Sequence, residues 1–155
     1  MTDDDKGQGP RIRAARPADV ATVLGFWRDA AEGVSVSDDP AGVLGLVTRD
    51  PEALLLAERA SLDGDGAETA ELVGTVIAGF DGWRCHLYRL AVAPAHRRQG
   101  VATALLDAAE RRFARLGGRR ADAMVLHHNE LAHGAWSARG YHRQPEWGRW
   151  VKSLP

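Results

Sequence analysis

The sequence predicts an α/β protein, a mostly antiparallel sheet carrying helices and one parallel crossover. Three observations predict it. Apolar, β-branched runs of strand length at residues 54–58, 71–80 and 84–92 are separated by turn-forming segments. Apolar residues recur at helical spacing near the start (Val20, Val23, Leu24, Trp27, Ala31) and again after residue 100 (Val101, Leu105, Ala109, Phe113, Leu116). The second of these periodic segments lies between two apolar runs, 87–92 and 121–126, the pattern of a strand–helix–strand crossover with parallel strands.

Residues 1–10 combine charge, glycine and Pro10 without periodicity and read as a disordered leader. Residues 11–155 read as one domain, in keeping with roughly 100–200 residues per domain. A first strand is expected over 11–15. A first helix follows over about 18–32, closed by Gly33. Asp39-Pro40 supplies an N-cap and a proline at the first helical position, and Pro51 disfavours a helical Asp50, so the second helix ends near Arg49. A short strand at 54–58 leads into the acidic, turn-rich loop 61–67, then a buried strand at 71–80. Asp81-Gly82 between apolar runs signals a hairpin into the strand at 84–92. The long helix over about 100–116 stops at Gly117-Gly118. A strand at 121–126, a short helix at 130–139 ending on Gly140, and two final strands near 141–144 and 148–153 complete the chain. The expected total is about seven strands and about four helices.

Composition narrows the function classes. A chain of 155 residues, 45% of them hydrophobic, buries a core without disulfides or metal. The single cysteine, Cys85, permits no internal disulfide and no cysteine metal cluster, and it reads as a packed side chain. The acidic start, Met1-Thr2-Asp3-Asp4-Asp5-Lys6, is the opposite of a signal peptide. No apolar stretch approaches the ~20 residues of a membrane span, so no membrane partner is expected, and the lone cysteine suits a reducing cytoplasm, the expected location. The six histidines show no His-x-x-x-His pairing, and no metal is expected.

Charge is uneven although the net value is −1: residues 1–83 hold 7 Lys+Arg and 16 Asp+Glu, residues 84–155 hold 13 and 5. The arginine bias invites a nucleic-acid reading. The arginines are scattered, however, with no contiguous basic run, and nucleic acid is not expected as a partner. A polyphosphate ligand explains Arg97 and Arg98 more economically. They open the stretch Arg97-Arg98-Gln99-Gly100-Val101-Ala102, a basic, glycine-containing turn at a strand-to-helix junction. Unpaired N–H groups and the positive end of the helix dipole suit such a turn to a pyrophosphate.

The segment from Leu90-Ala91-Val92 through Pro94 to Arg97-Arg98-Gln99-Gly100-Val101-Ala102 resembles the acetyl-CoA-binding signature of the GCN5-related N-acetyltransferase (GNAT) superfamily. The next landmark of that family reads here as Asn129, Ala132, Trp136 and Gly140-Tyr141. Residues 74–92, with Gly74-Thr75-Val76 and the Asp81-Gly82 turn, further resemble small bacterial members. The likeness covers roughly residues 11–153. It implies a mostly antiparallel sheet splayed around acetyl-CoA, and direct acetyl transfer from that cosubstrate to a primary amine on a small molecule, peptide or protein. Dimerisation is common in the family, so a homodimer is a further implied partner. A second expectation is a non-catalytic acyl-CoA-binding or regulatory domain.

The resemblance also implies roles for single residues. The strand carrying Leu90, Ala91 and Val92 parts from its parallel neighbour, and its free backbone groups pair with pantetheine. The Leu90 N–H meets the thioester carbonyl and stabilises the oxyanion. Arg97, Arg98, Gln99, Gly100, Val101, Ala102 and Thr103 hold the pyrophosphate; for the two arginines the alternative is solvated surface charge. Asn129 contacts the pantetheine arm, or simply caps its helix. Trp136 stands where many members have a tyrosine acid, and an indole is no acid at neutral pH, so it walls the thiol end. A glutamate base six residues before the valine corresponds to His86; another, five before the asparagine, corresponds to Met124 and is absent. Strand alternation puts His86, Tyr88, Leu90 and Val92 on one side. An imidazole of ordinary pKa, ~6.5, accepts a proton from an ammonium. His127 and His128 are further candidates, and the alternative for each histidine is a structural role. Of the aromatics that might line an acceptor pocket (Phe26, Trp27, Trp83, Trp147, Trp150), Trp27 falls on a core stripe, and Trp83, after a hairpin turn, is the substrate-side candidate.

Overall fold

Alternating apolar side chains and two tight turns build the sheet. The computed structural model describes residues 9–155, in two compact units that divide after Met124. Of the leader expected over 1–10, residues 1–8 lie outside the described residues. In the first unit β1 (Arg11–Ala14), β2 (Leu54–Leu62), β3 (Glu68–Phe80), β4 (Cys85–Val92) and β5 (Ala121–Ala123) form one sheet in that order. The first four are antiparallel in succession, and β5 lies parallel to β4.

The β2–β3 hairpin is longer than the apolar pattern suggests. Most of its outer residues are exposed, and turn chemistry holds them: the Asp63 carboxylate accepts from the N–H groups of Asp65 at 3.0 Å and Ala67 at 2.9 Å.

Helices cover both faces. On one, α1 (Val20–Ala30) and α2 (Pro40–Arg49) bury Val23, Leu24, Trp27, Val43 and Val47 against Leu54 and Leu56 of β2. Each such side chain contributes about 1.5–3 kcal/mol on burial. Asp39 caps α2 as expected, accepting from Gly42 N–H at 2.7 Å. On the other face α3 (Val101–Arg115) buries Val101, Leu105, Leu106, Ala109 and Phe113. Leu116, expected on this stripe, is 41% exposed because the helix has ended and it serves as the C-cap. Gly74 of β3 permits the close approach: a Cβ there would stand 2.7 Å from Val101 Cγ1 and 3.0 Å from Leu105 Cδ1. Arg112 of α3 is 4% exposed. Its guanidinium donates to the Ala78 carbonyl at 3.1 Å and pairs with Asp50, which ties α3 to the connection before β2.

The second unit holds α4 (Glu130–Ala138), capped by the Asn129 side chain, which accepts from Ala132 N–H at 3.1 Å. Gly140, at φ +87°, ends it.

Two strand expectations are corrected. β5 stops at Ala123 and does not reach residue 126, and residues 141–153 form no strand. Pro145 removes a ladder donor, Trp147 and Trp150 are 73% and 96% exposed, and alternation makes a strand only where a ladder partner exists. The described residues therefore hold five strands and four α-helices. Among them no helix is long and apolar enough to cross a membrane.

Candidate active site

The site is organised by an irregularity in β4. Thr75 stands opposite Ala91 and Ile77 opposite Tyr88, so β4 carries one more residue than β3 over this stretch. The bulge lies at Arg89–Leu90, and Arg89 has φ +51°, a left-handed conformation costing a non-glycine residue about 1–2 kcal/mol. It corrects the expected alternation. His86, Tyr88 and Ala91 share the face of Thr75, whereas Val92 stands opposite Gly74 on the α3 face. The Thr75 hydroxyl locks the bulge, donating to the Arg89 carbonyl at 2.9 Å and accepting from Trp27 Nε1–H at 2.9 Å.

Beyond the bulge β4 has an open edge. It pairs with β5 only through Cys85, His86 and Leu87. Residues 89–92 have no strand partner on that side among the described residues. Ala93 N–H turns to the Val73 carbonyl at 2.9 Å, which aims the backbone groups of Val92 the other way, toward the open edge. The short helical turn Pro94–His96 then ends pairing altogether.

The edge runs into the basic turn. Arg98 has φ +59° and Gly100, the N-cap of α3, φ +80°. No protein atom lies within 4 Å of a Cβ built at Gly100, so the backbone conformation is what calls for glycine and the outward space is free. No side chain caps α3. The N–H groups of Val101, Ala102 and Thr103 precede the first helical bond, Ala104 N–H to the Gly100 carbonyl, at the positive end of a 15-residue helix. Val101 buries its side chain at 1% exposure, while Ala102 is half-buried and Thr103 exposed. Arg97 and Arg98 are exposed and form no ion pair among the described residues. Arg59 of β2 donates to the Gln99 carbonyl at 3.2 Å, fixing that peptide plane, and the Gln99 amide donates to the Ala95 carbonyl at 3.1 Å.

His86 lies where β4 still pairs with β5. Its Nε2 is 3.6 Å from Asp81 Oδ2 and its Nδ1 3.8 Å from Asp122 Oδ2. Backbone N–H groups of Arg84 and Trp83 hold the Asp81 carboxyl below its ordinary pKa, so Asp81 is a carboxylate at neutral pH. Tyr88 stands beside the imidazole, ring centres 6.0 Å apart. Trp83 at the hairpin tip is 76% exposed with the Arg84 guanidinium over its ring. Cys85 is buried, and burial pushes its thiol pKa up, so it is no nucleophile. Trp27 is a core residue, 6% exposed. A cleft of about 550 Å³ lined by Arg13, Arg16, Pro17, Val47, Thr48 and Pro51 shares no residue with this site.

In the second unit Trp136 packs edge-on against Tyr141, ring centres 4.9 Å apart. His127 and His128 are exposed, and His127 Nδ1 lies 3.3 Å from an Arg143 nitrogen.

The family model described as "Acetyltransferase (GNAT) family" matches residues 21–141. The chain belongs to the GNAT acetyltransferase family. Solved structures of similar fold include Ard1 from Thermoplasma volcanium, at 21% identity and TM-score 0.68, covering 86% of this chain and 82% of that one. An aminoglycoside 6'-N-acetyltransferase from Acinetobacter haemolyticus matches at 20% identity and TM-score 0.63, covering 94% and 99%. Diaminobutyrate acetyltransferase from Paenibacillus lautus, solved with its diamino acid substrate and coenzyme A, matches at 22% and 0.66, covering 86% and 75%. At these identities the likeness is one of fold.

Within this GNAT chain, Thr75, Arg89, Asp38, Asp81, Asp122 and Arg59 escaped sequence reading. Asp81 and Thr75 carried local signals, the Asp81-Gly82 turn and the Gly74-Thr75-Val76 strand, but neither signal pointed to its contacts in the site. The others meet the site through sheet register or through contacts between distant segments.

Proposed function

We propose that this GNAT chain transfers the acetyl group of acetyl-CoA directly onto a primary amine. The observation that carries the reading is continuity: an open β4 edge leads from a backbone bulge into an uncapped helix N-terminus flanked by two arginines with no ion pair among the described residues. An extended pantetheine arm fits the edge as an added strand, and a pyrophosphate fits the turn. In this reading Ala91 and Val92 line the arm. Arg97 and Arg98 neutralise the phosphates, and the N–H groups of 101–103 take their oxygens, with the small Ala102 leaving room. The Leu90 N–H, at the bulge, donates to the thioester oxygen as negative charge develops there.

The acceptor must reach the carbonyl as a free amine. We assign His86 as the group that accepts its proton, with Asp81 and Asp122 orienting the ring and stabilising the imidazolium that results. The amine nitrogen adds to the carbonyl carbon, the carbon–sulfur bond breaks, and the second nitrogen proton passes to the departing CoA thiolate directly or through solvent, so no covalent enzyme intermediate is needed. Trp83, exposed beside this cluster in sequence, is the acceptor-side aromatic. The aminoglycoside and diaminobutyrate enzymes of similar fold, named for amine-bearing substrates, support a small amine acceptor.

Purified protein incubated with acetyl-CoA and a panel of primary amines tests this by release of the CoA thiol. Amine-dependent release, lost in His86→Ala, is expected. Binding of acetyl-CoA with no release above background for any amine would replace transfer with acyl-CoA sensing.

A further inference from the structure

We propose that Arg89 is a positioning residue for acyl transfer. Its side chain clamps the connection between α1 and α2, residues 31–39, onto the β4 bulge and so fixes that bulge beside the reacting carbonyl. The proposal rests on the donor-site reading above.

Arg89 is held from two directions. From the backbone, its carbonyl accepts from Thr75, whose hydroxyl is in turn held by the Trp27 indole. From the side chain, the guanidinium pairs with both oxygens of Asp38, Nε to Oδ1 at 3.1 Å and Nη2 to Oδ2. Nη1 donates to the carbonyls of Glu32 and Gly33, each at 3.2 Å. The cation lies over the Trp27 ring, 5.5 Å from its centre. Asp38 is itself set by the loop, accepting from Ser35 N–H at 3.0 Å. The two side chains are only 12% and 17% exposed.

This arrangement does more than a surface ion pair. A residue at φ +51° in a strand persists only if its surroundings over-determine it, and Arg89 is fixed at its carbonyl, its guanidinium and its ring contact. The neighbouring residue is Leu90, whose N–H is assigned to the oxyanion. The Asp38 carboxylate neutralises the Arg89 charge, so the arginine acts by geometry and not as an electrostatic partner of the thioester. Only a planar fork matches both Asp38 oxygens and two carbonyls at once. Lysine cannot substitute.

Arg89→Ala, Arg89→Lys and the near-isosteric Asp38→Asn test the clamp, with acetyl-CoA and CoA as probes. Backbone hydrogen exchange over 31–39 and 89–91 is measured with calorimetric affinities for both ligands. Exchange in both segments should rise about tenfold in each variant, the worth of a lost charged hydrogen bond. The preference of wild type for acetyl-CoA over CoA should fall, while CoA affinity stays within about twofold, because the phosphate turn is untouched. Unchanged exchange overturns the clamp. Faster exchange with the acetyl-CoA preference intact overturns positioning, since a purely structural tie would loosen the loop alone. Wild type binding neither ligand overturns the donor reading and this proposal with it.

Discussion

Replacing Thr75 with valine removes one oxygen and keeps the branched shape, so its cost reports what the hydroxyl does. Thr75 is 0% exposed and Trp27 6%, so the indole N–H is buried away from water, and the Arg89 carbonyl is part-buried. Each buried group left without a partner costs about 1–3 kcal/mol, and the methyl that replaces the hydroxyl returns a little under 1 kcal/mol of burial. The expected net loss is about 1–4 kcal/mol, a large part of the 5–15 kcal/mol typical of a domain. Urea unfolding followed by tryptophan fluorescence reads it as a lower midpoint at unchanged slope. Trp27→Phe removes the orphaned donor, so it should cost about 1 kcal/mol less in the valine background than in wild type. A loss below about 0.5 kcal/mol would refute the reasoning, because a hydroxyl that satisfies a buried indole N–H and a part-buried carbonyl cannot be removed so cheaply.

Other perturbations follow from the same geometry. Gly74→Ala puts a methyl 2.7 Å from Val101 Cγ1 and 3.2 Å from the Ala91 carbonyl. It should cost about 1–3 kcal/mol, read by scanning calorimetry, and weaken CoA binding by shifting the start of α3. Arg112→Ala leaves Asp50 and the Ala78 carbonyl without their partner. About 2–3 kcal/mol of unfolding free energy should go, less than for a fully buried pair because Asp50 is a third exposed; Arg112→Met should lose less. Arg13 hydrogen bonds hold the Asp19 carboxyl below its ordinary pKa. That stabilisation is complete above the unfolded value near ~3.9 and is lost as pH falls through the lower folded value. Acid unfolding of Asp19→Asn should therefore lack that part of the pH slope.

Local patterns made most of the first unit legible. Asp39-Pro40 marks the start of α2 to the residue, the helical stripe of α3 names its buried face, and the basic turn stands out in the sequence itself. What stayed hidden depends on pairing between distant segments. One extra residue in β4 reverses which side chains share a face beyond Tyr88, and no run of apolar residues records it. Asp122 reaches His86 only through the parallel register of β5. Arg112 belongs by composition to a basic surface, yet it sits on the buried face because Asp50 and the Ala78 carbonyl are there to meet it. The last two expected strands failed for the converse reason: residues 141–153 have the apolar spacing of strands and no ladder.

The central claim is that the β4 edge and the turn at Arg97–Ala102 form a CoA donor site. The most direct measurement compares equilibrium affinities for CoA and pantetheine, in wild type and in the Arg97→Ala/Arg98→Ala double variant. Wild type should bind CoA about a hundredfold more tightly than pantetheine, since charged phosphate contacts are worth about 1.5–3 kcal/mol each. The double variant should lose about ten- to a hundredfold in CoA affinity and nothing in pantetheine affinity. Equal affinity of wild type for the two ligands, or a double variant that keeps full CoA affinity, would contradict it.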